Sequence, residues 1–234
     1  MATFNGAAYV QDQLESILED LLRGDEVVVV DDCSSDDTAS VVRGIDDPRL
    51  RVVVLEKNVG HVAAFERAIS EATSETIMLA DQDDLWVPGR VEAFVRALQS
   101  ADLAVGAYET FGRGNATSSV SRLGSEYPGS LRNLVMMVVG RRPYSGCVMA
   151  FRSTLLPRLL PFPTFLEAHD HWLGIVGNVN AETVHVLHTV TLRRLHASNV
   201  TPNKRRGILR VLKTRWIYAQ MVAEAWRRRV LSSG

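Results

Sequence analysis

Cysteine, long apolar runs and net charge are all scarce in this chain, and each shortage rules something out. Only Cys33 and Cys147 occur in 234 residues. They are too few for a disulfide framework and lack CxxC spacing, so a reducing compartment suits them and both read as structural thiols. No apolar run approaches the roughly 18 residues of a membrane span, and the start lacks the basic-then-apolar order of a secretion signal. A soluble cytoplasmic protein is expected. Phosphate-cradling loops are missing too: neither GxxxxGK[ST] nor a GxGxxG between strand and helix is present. There is no internal repeat. The composition, 46% hydrophobic and 23% charged, fits one large domain or one domain with an appendage.

The net charge of -1 hides an asymmetry, because residues 203–234 hold nine Lys/Arg against one acid, Glu224. The preceding body is therefore acidic, and the two parts face different partners.

Apolar runs alternate with amphipathic segments. Val10, Leu14, Ile17, Leu18 and Leu21 have helical spacing. Val27 to Val30 form a β-branched run without polar alternation, as in a strand buried on both faces. Ser34-Ser35-Asp36-Asp37 has capping-box form ahead of a helix from Thr38 to Ile45, and Leu50 to Leu55 is the next strand. Val62, Phe65, Ile69 and Ala72 mark a helix, Ile77 to Ala80 a strand, and Pro88 a first-turn proline before Val91, Phe94, Val95 and Leu98. Leu103 to Ala107 is strand-like, and Gly112 to Ser121 reads as a loop. This βαβα order predicts an α/β domain with a mostly parallel sheet flanked by helices.

Two acidic clusters fall at equivalent places in that order. Asp31-Asp32 follows one strand, and Asp81, Asp83 and Asp84 follow another. The carboxyl ends of strands are where open α/β sheets bind ligands. Carboxylates crowded there repel one another unless a cation or donors compensate, and Mg2+ and Mn2+ favour such oxygens together with phosphates.

At this point ATFNG, DEVVVVDDCSSDDT, Asn58-Val59-Gly60 with Phe65-Glu66, and LADQDDLWVPGR together resemble the family 2 glycosyltransferases of GT-A fold. The similarity is strongest to the bacterial rhamnosyltransferase-like branch, and YSGCVMAFR, EAHDHWLG and LRRLHASNV extend it to about residue 200. The resemblance implies an inverting, metal-dependent enzyme that moves a sugar from a nucleoside-diphosphate sugar to a glycan or lipid-linked acceptor, without nucleic acid as a partner. It implies a nucleotide-sugar half over about 1–111 and an acceptor half over about 112–202, while residues 203–234 read from their own charge and spacing as a basic amphipathic helix. By the same resemblance, Thr3, Asn5, Asp32 and Asp81 contact the donor, Asp83 and His196 complete a site for Mg2+ or Mn2+, and Asp170 is the catalytic base. One base without a nucleophile means a single displacement.

The chain departs from that pattern in places. Only Met1-Ala2-Thr3 precede Phe4, so the first strand is expected to be short or missing. Ala64 stands where the branch often has Asn, and Arg193 and Leu195 replace residues that usually flank the arginine, here Arg194. Plainer readings stand beside each role. Asp170 is placed to cap a helix, Trp172 reads as core, His196 as a structural histidine, and Asp31 and Asp84 as supporting groups outside the metal shell. His169, His171, His185 and His188 raise a zinc site, which lacks the usual ligand spacing. A haloacid-dehalogenase-like phosphatase and a non-catalytic relative are the other function classes. In the tail, Leu209, Leu212, Trp216, Ala219, Ala223, Trp226 and Val230 recur at three- and four-residue steps. That stripe fits a helix docked on the body or one lying on an anionic membrane at its cytoplasmic face, and periodicity alone leaves both open.

Overall fold

The computed structural model describes residues 1–112, 130–140, 144–180, 183–196 and 208–231. Most of the loop expected over 112–121, and the junction between body and tail near 202, lie outside them.

The first third of the chain forms a parallel sheet in the order β1 (Ala2–Thr3), β2 (Val27–Asp31), β3 (Leu50–Val54). Side chains alternate across a strand, and β2 uses both faces. Val27 and Val29 pack with Val10, Leu14 and Ile17 of α1 (Val10–Asp20) and Val42 of α2 (Thr38–Arg43). Val28 and Val30 pack against Ala64 and Ala68 of α3 (His61–Glu71). β1 has two residues, the short first strand anticipated above.

The remaining strands make a mixed sheet. They are β4 (Thr76–Met78), β5 (Leu85–Trp86), β6 (Leu103–Phe111), β7 (Met149–Arg152) and β8 (Thr183–Arg194), in the order β4-β7-β6-β8-β5. Among the described residues of this sheet, β6 and β8 are the one parallel pair. β5 follows a tight turn after β4 yet pairs antiparallel with distant β8, Leu85 opposite Leu192 and Trp86 opposite Thr191. The strands β5, β7 and β8 were not evident from the sequence pattern. The β6–β8 register shifts around Gly106, where a Cβ would lie 2.3 Å from a Val190 methyl.

Helices α4 (Arg90–Ala97), α5 (Ser130–Val138), α6 (Leu156–Leu159) and α7 (His169–Asn180) cover this sheet, and Trp172 is core, its indole N–H donating to Leu159 O. Two local expectations need correction. Asp20 accepts the Gly89 and Val91 amides, so α4 starts after left-handed Gly89 and Pro88 precedes the cap instead of entering the first turn. No capping box forms at Ser34 and Asp37: the Ser34 hydroxyl is drawn to Asp31, and Asp36 accepts the Thr38 amide.

Helix α8 (Ile208–Leu231) docks on α7 through a face the stripe did not include: Ile217, Tyr218, Met221 and Ala225 are buried. Arg228 donates to Leu159 O and Pro161 O and lies over the Trp172 ring, while Arg229 donates to Val179 O. The stripe itself faces outward, with Trp216 67% and Trp226 48% exposed. The helix thus has two apolar faces, one docked and one open.

Candidate active site

The segments flagged by their acids meet along one edge of the molecule. Gln82 joins two of them, accepting the Phe4 amide at 2.8 Å and donating to Phe4 O at 3.1 Å. The ATFNG turn and the turn after β4 are therefore held face to face.

Thr3 and Asn5, expected to contact a nucleotide, spend their polar atoms inside the protein. The Thr3 hydroxyl is buried and donates to Asp31 Oδ1 at 2.9 Å. Asn5 has a left-handed φ of 48° and its Oδ1 accepts the Ser35 amide at 2.8 Å. They shape the rim. Asp31 also accepts the Ser34 amide and hydroxyl, the supporting role expected of it. Asp32 is buried, and its two oxygens accept the Val59 and Gly60 amides at 2.7 and 2.9 Å. It fixes the Asn58-Val59-Gly60 turn, so any contact with a base uses lone pairs left over from those bonds.

The second cluster is more open. Asp83 Oδ2 lies 2.8 Å from His196 Nε2, and the His196 ring stacks on Tyr9 with centroids 4.6 Å apart. Arg194 secures the neighbourhood by donating its amide to Asp84 Oδ1, its Nε to Asp83 O and its guanidinium to Asp12. Asp81 is half-buried, Asp84 fully so. Burial, then the charges of Asp84, Asp83 and Asp170, pushes the Asp81 carboxyl up to about 8. Burial and Asp83 push Asp84 up to about 6, and burial followed by Asp81 and Asp84 pushes the Cys147 thiol up as well. Arg193 partly offsets this negative field.

Asp170 enters from the first turn of α7, near enough for its charge to act on Asp81. Its Oδ1 accepts the His171 amide at 2.7 Å, which satisfies one free N–H of the helix start and leaves Oδ2 for other work. Gly146 makes room beside it: a Cβ there would sit 2.8 Å from His169 Nε2 and 3.5 Å from Asp170 Cβ. His169 is buried and stacked on Phe65 at 3.8 Å, with neither ring nitrogen hydrogen-bonded, and burial lowers it to about 4.

The histidines do not gather around a metal. His185 bonds the Tyr144 hydroxyl and His171 lies against Tyr218. Among the described residues, the group with metal-ligand proximity is Asp81, Asp84 and Cys147. Asp84 and Cys147 were not assigned to a site from sequence. Their signal was faint, a third acid in DQDD and a thiol in YSGC that only the fold brings beside it. Arg90 was missed altogether: its buried guanidinium donates to Leu79 O, Cys147 O and the Thr191 hydroxyl, tying together the segments that lead to the acids, the thiol and His196.

Comparison with known proteins bears on the family and the fold. The model of the family described as "Glycosyl transferase family 2" matches residues 1–156, a span that holds both acidic clusters and ends before Asp170 and His196. The chain is 24% identical over 221 residues, 92% of its own length and 82% of the relative's, to the Escherichia coli UDP-Glc:alpha-D-GlcNAc-diphosphoundecaprenol beta-1,3-glucosyltransferase WfgD. Three other bacterial relatives are 32–38% identical, yet the chain spans only 29–38% of their length. Among solved structures, Staphylococcus aureus TarS with UDP-GlcNAc superposes with TM-score 0.70 at 20% identity, covering 97% of this chain and 70% of that one. The Pyrobaculum calidifontis mannosyltransferase PcManGT with GDP-Man and Mn2+ gives 0.61 at 21% identity, covering 99% and 73%. The fold is GT-A.

Proposed function

This chain belongs to glycosyl transferase family 2, and we propose that it moves a sugar from a nucleoside-diphosphate sugar to a hydroxyl of a glycan or lipid-linked acceptor, inverting the anomeric carbon, in bacterial cell-surface polysaccharide assembly. The observation that carries this reading is the convergence of Asp81, Asp83 and Asp170 from two distant parts of the chain on one edge.

Asp170 accepts the proton of the acceptor hydroxyl as that oxygen attacks the anomeric carbon. A positioned base of this kind contributes roughly 100- to 10,000-fold. Asp81 faces the donor ribose, and the turn fixed by Asp32 borders the base. Asp83 and His196 offer oxygen and nitrogen donors at 2.8 Å from each other, a donor set that fits Mg2+ or Mn2+. Bound there, the cation offsets charge on the departing nucleoside diphosphate. Asp81 and Asp84, both pushed up by burial and by neighbouring carboxylates, fit a site that meets positive charge.

A lipid-linked acceptor is consistent with the diphosphoundecaprenol in the name of WfgD. Among the described residues no helix is long and apolar enough to cross a membrane. The open face of α8, with Leu212, Trp216, Trp226 and Val230, supports peripheral contact with an anionic membrane.

The test is a panel of nucleotide sugars, dTDP-rhamnose included, with Mn2+ or Mg2+, read by released nucleoside diphosphate and by the product's anomeric configuration. Turnover with inversion is expected. Retained configuration overturns the single displacement, absence of turnover with every donor favours a non-catalytic relative, and phosphate release from phosphate esters would restore the phosphatase.

A further inference from the structure

We propose that Cys147, Asp84 and Asp81 form a second cation site, separate from the Asp83–His196 pair, which takes a thiophilic divalent ion such as Zn2+ and thereby blocks the donor. The blocking half of this statement rests on the donor role given to Asp81 above.

Geometry comes first. One ligand atom from each of the three side chains lies within 4.8 Å of the other two. Cys147 and Asp84 are 1% and 2% exposed, while Asp81 borders solvent, so two ligands are prearranged inside and the third guards the entrance. Asp84 Oδ1 is occupied by the Arg194 amide, but Oδ2 is buried without a hydrogen-bond partner. A buried carboxylate oxygen left in that state calls for an explanation, and the weakly donating Cys147 thiol beside it is a poor one. The backbone of Cys147 is anchored, its carbonyl accepting from Arg90 and from Thr191. Arg193, the nearby cation, is engaged with Tyr108.

Chemistry then selects the ion. Mg2+ seeks six oxygens and has no preference for sulfur, whereas Zn2+ accepts thiolate and carboxylate together and commonly takes three protein ligands with an open fourth position. Binding releases the thiol proton and any proton held between the two carboxylates to solvent. It also consumes Asp81.

The test uses the full chain with Co2+ as a spectroscopic probe, without Mn2+. A thiolate-to-cobalt charge-transfer band should appear at one equivalent, vanish in Cys147→Ser, and persist in Cys33→Ser and in Asp83→Asn. X-ray absorption of the Zn2+-loaded wild type, which needs no variant, should show one sulfur at about 2.3 Å. In a separate titration with Mn2+ held at saturation, Zn2+ should weaken donor binding in the wild type and leave it unchanged in Cys147→Ser. No sulfur ligand in the wild type, or a band that survives Cys147→Ser, overturns the site. A sulfur-bound ion that leaves donor affinity unaltered overturns the block. Failure of every nucleotide sugar to bind would count against the transferase reading alone, because the band does not depend on a donor.

Discussion

His196 Nε2 and Asp83 Oδ2 stand 2.8 Å apart across 113 residues of chain, so the strand that ends near residue 194 delivers a ring nitrogen to the turn that follows β4. Histidine held to a carboxylate in this way both orients it and adds a donor of its own. Asp83→Asn should abolish Mn2+-dependent donor binding in calorimetry. His196→Ala should weaken Mn2+ binding by roughly 10- to 100-fold. Wild-type affinity in either variant would take that residue out of the cation site.

Asp170→Asn should lower kcat by roughly 100- to 10,000-fold and leave donor affinity nearly intact, because a base acts on the acceptor in the transition state. The amide oxygen still accepts the His171 N–H, so the start of α7 should be undisturbed. Weakened donor binding with an unchanged rate constant would return Asp170 to a capping role.

Arg90 is a structural hub beneath the site. Arg90→Met strips the donor from the Leu79 carbonyl, while the Cys147 carbonyl keeps the Thr191 hydroxyl, so the loss should be about 1–3 kcal/mol in urea unfolding. Arg90→Lys, which lacks the fork, should fall between the variant and wild type. A Met variant as stable as wild type would mean that the Leu79 carbonyl finds another donor.

His169 should make the fold sensitive to acid. The unfolded chain takes up a proton near the ordinary 6.5, while the folded ring refuses it until about 4. Its contribution is complete above pH 6.5 and is lost as pH falls through that window. His169→Phe keeps the stack on Phe65 and should flatten the stability profile between pH 6.5 and 4. Parallel profiles for the two proteins would assign the acid sensitivity elsewhere.

Trp216 and Trp226 sit on the open face of α8, so changing both to Ser should leave the melting temperature within a degree or two while reducing sedimentation with anionic vesicles. Full vesicle binding in the double variant would remove this face as the membrane contact.

Legibility followed the range of the interactions. Helices α1 to α3 and strands β2 and β3 could be read because each is dictated by its own period and both faces of β2 are apolar. Strands β5 and β8 could not, since their pairing depends on partners a hundred residues apart. The acids were conspicuous as a cluster, yet nothing local distinguishes Asp31, committed to Thr3 and Ser34, from Asp83, which faces His196. The stripe on α8 was found correctly as a period but belongs to the face turned away from the body. The docked face, Ile217, Tyr218, Met221 and Ala225, also has helical spacing, and period alone does not tell which of two apolar faces meets the body.

The contacts that close the site have a consequence for how the chain matures. His196 reaches Asp83 over 113 residues, Arg194 reaches Asp84 over 110, and Arg194 reaches Asp12 over 182. Closing such long loops is entropically slow, and local helices and the first parallel strands form ahead of it. Synthesis delivers Asp83 and Asp84 more than a hundred residues ahead of the arginine and histidine that close over them. In the proposed role of Asp83, cation affinity would report on finished tertiary structure, because a nascent or nicked chain keeps its acids without the histidine that stands beside them.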